Sequence, residues 1–442
     1  MPSSSKLLLQ SLWAATAPPG PACAPLSGAQ RAQVAIIGAG YTGLAAALHL
    51  AEAGRDAVVI DAADVGERAS GLNGGQVIAG VKHDPDVLEA MFGPDAGGRF
   101  AATAGAAPEK VFDLIARHGI ACDAVRTGWI QPATSAAALD MLARRAGQWQ
   151  RRGAAVTVLT REDVARLTGS TRYCGGYLDR RGGSVQPLAY VRGLAHAVLR
   201  AGGRIATRSP ALRLARTGAD WAIETPAGSV TAPQVIVATD AYTDKVSDAL
   251  RRTMVTVPSF QVATVPLPEA LRRSILPEGQ SASDTWHLLR YFRLGPGGRL
   301  VLGTRGTFAA TPTLRHVRYH YRSVADIFPQ LADVRFEFHW GGMVAMTRDH
   351  LPHLHEPAPG LLAGLGYNGR GVAMASVMGG VLARRVLGAA AGELDVPVTP
   401  VAPMPFHALS GVGARIAIQY YRGVDALARF RGRPRAAGVA RA

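Results

Sequence analysis

The segment that most constrains this chain begins at Gln33. Val34-Ala35-Ile36-Ile37 is a short apolar run suited to a buried parallel strand. Gly38-Ala39-Gly40-Tyr41-Thr42-Gly43 follows at once, and Leu44 to Ala53 carries a helical pattern that ends at Gly54. Ala57-Val58-Val59-Ile60 is a second apolar run, closed by Asp61. Strand, GxGxxG, helix, strand and acid within about 30 residues is the order a dinucleotide-binding unit requires. An isolated GxGxxG is as often a plain glycine turn; the flanking strands, helix and acid in register separate this one from that. Gly38 permits the tight turn, Gly40 lets the backbone approach a pyrophosphate, and Gly43 allows close helix–strand packing. Tyr41 and Thr42 open the helix, whose free N–H groups and positive dipole end face the phosphates. Asp61 can accept both ribose hydroxyls while repelling a 2′-phosphate, which favours FAD or NAD over NADP.

The next segment, Arg68-Ala69-Ser70-Gly71-Leu72-Asn73-Gly74-Gly75-Gln76, is polar and dense in glycine. Glycines at 71, 74 and 75 make helix and strand costly, so a loop is expected. Ser70, Asn73, Gly74, Gly75 and Gln76 would supply a second layer of cofactor contacts.

Downstream, Leu188 to Ala201 has helical apolar spacing and is terminated by Gly202-Gly203. The runs 205–214, 221–224, 230–232 and 235–238 read as strands. From Val255 to Phe338 alternating runs suggest antiparallel strands, with Gly295-Pro296-Gly297-Gly298 as a hairpin turn. Gly366-Tyr367-Asn368-Gly369-Arg370-Gly371 then leads into a helix over 372–387, a second electropositive cradle. Met374 and Met378 on that helix are expected in the core. His350, His353 and His355 lack suitably spaced Cys or acidic partners, so they are expected as loop histidines and no metal is expected.

These stretches together resemble the flavin-dependent amine and D-amino-acid oxidase superfamily, most closely its gamma-glutamylputrescine oxidoreductase-like branch. The resemblance runs nearly end to end: residues 11–17, GAGYTGL at 38–44, ASGLNGGQ at 69–76, 291–294, 340–342, 347–353 and 366–374. Leu72 stands where that branch usually has Arg, which removes one potential flavin or phosphate contact. The resemblance implies an α/β fold, with a Rossmann-like FAD-binding domain interleaved with an α+β substrate domain on a mostly antiparallel sheet. The expected division is an N-terminal arm at 1–30, an FAD domain at 31–83, 173–245 and 341–403, a substrate domain at 84–172 and 246–340, and a tail at 404–442. It further implies FAD contacts near Ala211, Ala238 and Thr239, and at the loop Gly366, Asn368, Gly369, Gly371 and Val372.

The resemblance also implies a chemistry: oxidation of a C–N bond by hydride transfer to flavin N5, hydrolysis of the imine, and reoxidation by oxygen or another acceptor. Tyr291, Arg293, Trp340 and Tyr367 are candidates for lining the substrate site, and no catalytic dyad is named. Some oxidases of the superfamily place a lysine near N5; Lys245, the only lysine beyond residue 110, does not match that position. No cysteine follows Cys174 and no histidine lies in 68–76, so non-covalent FAD is expected. The amine is expected to be a gamma-glutamylated amine or an N-substituted amino acid. Alternatives are a D-amino-acid or sarcosine-type enzyme, or a flavin-bound protein with an RNA-associated or tRNA-modification role.

Composition narrows the class. Of 442 residues 48% are hydrophobic and 18% charged, which excludes wholesale disorder. Three cysteines without a CxxC pair exclude a disulfide framework and suit a reduced, cytoplasmic enzyme. No apolar stretch of about 20 residues suggests a membrane span. Residues 1–30 are weak as a secretory signal, because Gln10 and Ser11 break the apolar run. They are expected to form an arm that packs through Leu9, Leu12 and Trp13. The net charge of +16 includes seven arginines and one acid within 404–442, with Arg429, Arg431, Arg433 and Arg435 clustered. A frayed, solvated tail is expected there, and nucleic acid is not an expected partner because aromatic interleaving is sparse.

Overall fold

The computed structural model describes residues 10–243, 246–309 and 313–431. Its centre is a six-stranded sheet in the order His353–Ala358, Leu361–Leu365, Gln234–Val237, Val34–Ile37, Ala57–Ile60, Arg204–Ala206. All neighbours are parallel except the first pair. Period-two alternation sends Val34, Ile36 and Val59 to one face and Ala35, Ile37, Val58 and Ile60 to the other, so both faces are buried. Helices Tyr41–Glu52, Pro187–Arg200 and Gly371–Val386 cover the first face. A four-stranded sheet, Gly28–Arg31, Gly228–Ala232, Asp220–Thr225 and Arg213–Thr217, covers the second.

An eight-stranded sheet forms the other half of the protein. Its order is Phe336–Thr347, Met254–Thr264, Arg299–Arg305, Tyr291–Gly295, Ser281–Ser283, Trp129–Ala133, Gly175–Asp179, Val156–Leu159. Only the Ser281–Ser283 and Trp129–Ala133 pair is parallel. Helix Leu314–Ile327 closes its outer core. The fold is thus the α/β architecture expected from the sequence.

Several local expectations need correcting. Residues 28–31 are a strand in a sheet rather than part of an arm, because Gly28 to Arg31 pairs in parallel with Gly228 to Thr231. Gly175–Asp179 belongs to the eight-stranded sheet, not to the nucleotide half. The run 205–214 divides into two strands in different sheets. His353 and His355 lie on an edge strand, not in a loop. Ala69–Leu72 is a short helix. Gly71 sits in it because a Cβ there would meet the Gly66 carbonyl oxygen at 1.9 Å, so this glycine marks close packing rather than looseness. The tail contains a 22-residue helix, Ser410–Arg431, and is not frayed over that span. Arg433, Arg435, Lys245 and Leu9 lie outside the described residues.

Candidate active site

A cavity of about 1160 Å³ runs between the two large sheets. It exceeds the roughly 300–1,000 Å³ of a single small-ligand site, leaving room for a dinucleotide and a second small molecule. At one end the strand Val34–Ile37 delivers the chain into the glycine turn. A Cβ on Gly43 would stand 1.9 Å from the Gly38 carbonyl oxygen, so only glycine lets the helix start this close to the strand. The Asp61 carboxylate accepts from the N–H of Ala39 (2.6 Å) and of Ala63 (2.8 Å), which fixes it at the strand tip. Burial pushes the Asp61 carboxyl up from its ordinary value, opposed by those N–H donors. Ser209 to Leu212 line the same end, Ala211 among them.

The segment after the second strand folds around Asn73. Its side-chain amide donates to the carbonyls of Ala69 (3.0 Å) and Ser70 (2.8 Å), and its oxygen accepts from the Gly75 N–H at 2.8 Å. Ser70 Oγ accepts from Tyr41 N at the start of the first helix. Gln76 is buried, donates to the Ala282 carbonyl at 2.8 Å and accepts from Ser283 Oγ at 2.6 Å, tying the segment to the eight-stranded sheet. The N-terminal helix Leu12–Thr16 buries Leu12 and Trp13, and Trp13 Nε1 donates to the Asn73 carbonyl at 2.8 Å.

The loop before helix Gly371–Val386 is braced from beneath. Gly366 N–H donates to the buried Asp240 carboxylate at 2.7 Å, and Asn368 donates to the Gly366 carbonyl at 2.6 Å. The Tyr367 and Thr42 hydroxyls share a hydrogen bond of 2.6 Å, which ties the loop to the first nucleotide helix. Met374 and Met378 are fully buried.

Most of the sequence-identified residues line this one cavity: Gly38, Gly40, Tyr41, Thr42, Asp61, Ser70, Asn73, Gly74, Gln76, Ala211, Ala238, Thr239, Tyr291, Tyr367, Asn368, Gly369, Gly371 and Val372. Gly43, Gly75 and Gly366 stand behind the lining. Arg293 and Trp340 do not reach it, contrary to expectation. The Arg293 guanidinium turns inward to the carbonyls of Val185 (2.5 Å), Gly75 (3.4 Å) and Leu294 (3.0 Å). Trp340 donates to the Leu72 carbonyl at 3.1 Å and packs edge-on against Trp13.

Sequence reading missed the cations at the cavity's other end. Lys82, Arg305 and Arg370 line it together with Trp129 and Gln131, and none makes an ion pair among the described residues. Arg145 and Arg181 nearby are by contrast paired with Asp84 and Asp179. Burial brings the Lys82 amine down to about 7, aided by the positive Arg370, Arg145 and Arg305. Arg370 lies 4.8 Å from the Trp129 ring centre and is itself lowered to about 10 by burial. No motif marks Lys82; a lone lysine six residues after a glycine segment carries no local signal. His287 and Tyr421 were missed as well. They stack at 5.0 Å and 12° where the cavity meets the surface.

The lining fits a flavin dinucleotide. Gln261 donates to the Leu72 carbonyl at 2.5 Å, but its buried Oε1 has no partner among the described residues. The features matched to a dinucleotide are the N-terminus of helix Tyr41–Glu52, opening from Gly40 in the lining, and the Asp61 carboxylate at the strand tip, which suit its pyrophosphate and ribose hydroxyls.

Glycine turn, acid-tipped second strand, buried acceptor and an adjoining cation-walled chamber define a dinucleotide-dependent oxidoreductase of the doubly wound type. The family model for FAD dependent oxidoreductases matches residues 33–385, and the chain belongs to that family, with FAD as its cofactor. It is 33% identical over 357 residues to gamma-glutamylputrescine oxidoreductase of Escherichia coli, covering 80% of this chain and 83% of that protein. It is 32% identical over 397 residues to the probable oxidoreductase OrdL of Rhizobium meliloti, covering 87% and 90%. Among solved structures, glycine oxidase from Geobacillus kaustophilus superposes with a TM-score of 0.68 at 21% identity, over 81% of this chain and 95% of that one.

Proposed function

We infer that the protein oxidises the C–N bond of an amine whose substrate molecule also carries a carboxylate, a gamma-glutamylated amine being the preferred case. The observation that carries this reading is the trio Lys82, Arg305 and Arg370, lining one chamber without carboxylate partners. Half-buried cations left unpaired are costly, and a bound anion relieves that cost. The name of the Escherichia coli relative, an oxidoreductase of a glutamylated amine, points the same way.

Bound FAD supplies the hydride acceptor. The chain supplies the rest. Arg305 and Arg370 hold the substrate's carboxylate, and Lys82, protonated when that anion is present, adds a third contact. The same positive wall disfavours a second positive charge, so it lowers the pKa of the substrate amine and presents a neutral nitrogen without a dedicated base. Tyr291, whose hydroxyl is fixed to Ser259 Oγ at 2.8 Å, offers an aromatic edge to the reacting carbon. Asp61 and the first helix would hold the dinucleotide, with Asn73, Gln76 and Gly369 lining the same cavity.

Anaerobic mixing with a panel tests this. Glutamylated amines are expected to bleach the flavin band faster than the free diamines, with N-methyl and D-amino acids as the comparison. Equal rates with and without the carboxylate would remove the reading, and bleaching by amino acids alone would move the enzyme to the amino-acid class.

A further inference from the structure

The C-terminal helix Ser410–Arg431 has an apolar face that none of the described residues covers. Ile416 is 65% exposed, Tyr420 67%, Val412 53% and Leu427 50%. At 100° per residue these four fall within an arc of about 80°. Ile418 and Asp425 lie opposite and are buried against the body of the protein. The Asp425 carboxylate accepts from the backbone N–H groups of His287 (3.3 Å) and Leu288 (3.1 Å) and bonds the His287 ring at 2.9 Å, which fixes which face points outward. Arg415 and Arg422 border the apolar stripe, and Arg429 and Arg431 follow in sequence.

Charge decides what covers this face. Asp425 is the only acid between 404 and 442, and it is buried, so the four arginines within the helix, Arg415, Arg422, Arg429 and Arg431, have no exposed acid on it to balance them. A second copy of the chain would bring two arginine-rich faces together, which electrostatic complementarity disfavours. Nucleic acid would satisfy the arginines but leave valine, isoleucine and leucine against phosphate. A cationic rim beside an aliphatic and tyrosine stripe is the signature of a helix lying in a membrane interface. Among the described residues no helix is long and apolar enough to cross a membrane, so the contact is peripheral.

We propose that this helix lies flat on an anionic bilayer surface, its apolar stripe entering the headgroup boundary and its arginines pairing with acidic lipids. Tyr421 on the same helix lines the cavity and is 37% exposed, so the docked helix sets the opening of the active site at the lipid surface. This does not depend on which amine is oxidised.

The test uses the full FAD-loaded chain, sedimented with phosphatidylcholine vesicles with and without phosphatidylserine. Binding is expected only with phosphatidylserine, and it should fall with added salt. R415Q/R422Q should weaken it on the order of 20-fold, at about fivefold per arginine. I416E/Y420E should abolish it while retaining flavin absorbance, melting temperature and amine turnover in vesicle-free buffer. Lack of binding to acidic vesicles, or binding unchanged in I416E/Y420E, would overturn the proposal. So would a dimer that I416E/Y420E dissociates, or salt-sensitive RNA binding in place of vesicle binding.

Discussion

Replacing Lys82 with methionine keeps the length of the side chain and removes its charge. In the protein burial and the neighbouring Arg370, Arg145 and Arg305 bring this amine to about 7, against an ordinary 10.5. Near neutrality it is therefore partly protonated, and a carboxylate in the chamber draws it to the charged form. A charge-assisted hydrogen bond is worth about 1.5–3 kcal/mol, so K82M should raise KM for a carboxylate-bearing substrate about 10- to 150-fold. An analogue lacking the carboxylate should lose little. The pH profile adds a sharper signature. In the parent enzyme kcat/KM rises with pH as the substrate amine loses its proton, then falls above about 7 as Lys82 loses its own. K82M should keep the rising limb and lose the falling one. Stability must move consistently. The unfolded chain holds the lysine proton up to about 10.5 and the folded chain releases it near 7, so the unfolded state binds more protons in that window. Stability attributable to this group thus rises with pH from about 7 to 10.5, and urea titrations of K82M should lack that slope. An unchanged KM together with an unchanged falling limb would refute the assignment of Lys82 to the carboxylate.

Other substitutions separate binding from scaffolding. D61A removes the acceptor for the Ala39 and Ala63 N–H groups and should weaken FAD about 10- to 150-fold, read by the fluorescence of released flavin. R293M should lower stability by about 1–3 kcal/mol in chemical denaturation and leave KM for the amine nearly unchanged, since its three partners are backbone carbonyls away from the cavity. Acid precipitation should leave the yellow colour in the supernatant, because none of Cys23, Cys122 and Cys174 lines the cavity and no histidine lies in the 68–76 segment; colour in the pellet would show a covalent bond, with His83, His287 and His350 of the lining as the side chains to examine.

What could be read from sequence was local. Val34 to Asp61 is contiguous, its unbroken apolar runs report strands buried on both faces, and its glycines report close approach, so the nucleotide end was legible within one window. The substrate end was not, because its meaning depends on distance in sequence. Tyr291 and Arg293 share a strand face by parity, yet one hydroxyl meets Ser259 at the cavity and the other side chain runs to Val185. Lys82 acquires its character from burial and then from charges that include Arg370 and Arg305, more than 200 positions away. The C-terminal segment reads as a frayed tail from its terminal position and its run of arginines, whereas the helix there is anchored by Asp425 on the 287–288 backbone.

Charge is the clearest case of placement overruling composition. A net +16 is equally compatible with a nucleic-acid surface, a biased codon usage or a polyanionic ligand. An exposed arginine such as Arg213, with a partner in Glu224, is hydrated and gains little from its pairing. A cation in a chamber is different: desolvation makes its charged form costly, as the lowered amine of Lys82 records. Arg290 shows the alternative solution, fully buried and neutralised by Asp284 and Asp326 at 2.6 Å each. The fold thus supplies carboxylates to Arg290 and backbone carbonyls to the buried Arg293, whereas among the described residues Lys82, Arg305 and Arg370 have no carboxylate partner. That contrast within one protein, rather than the total charge, is why the missing counter-ion is assigned to the substrate.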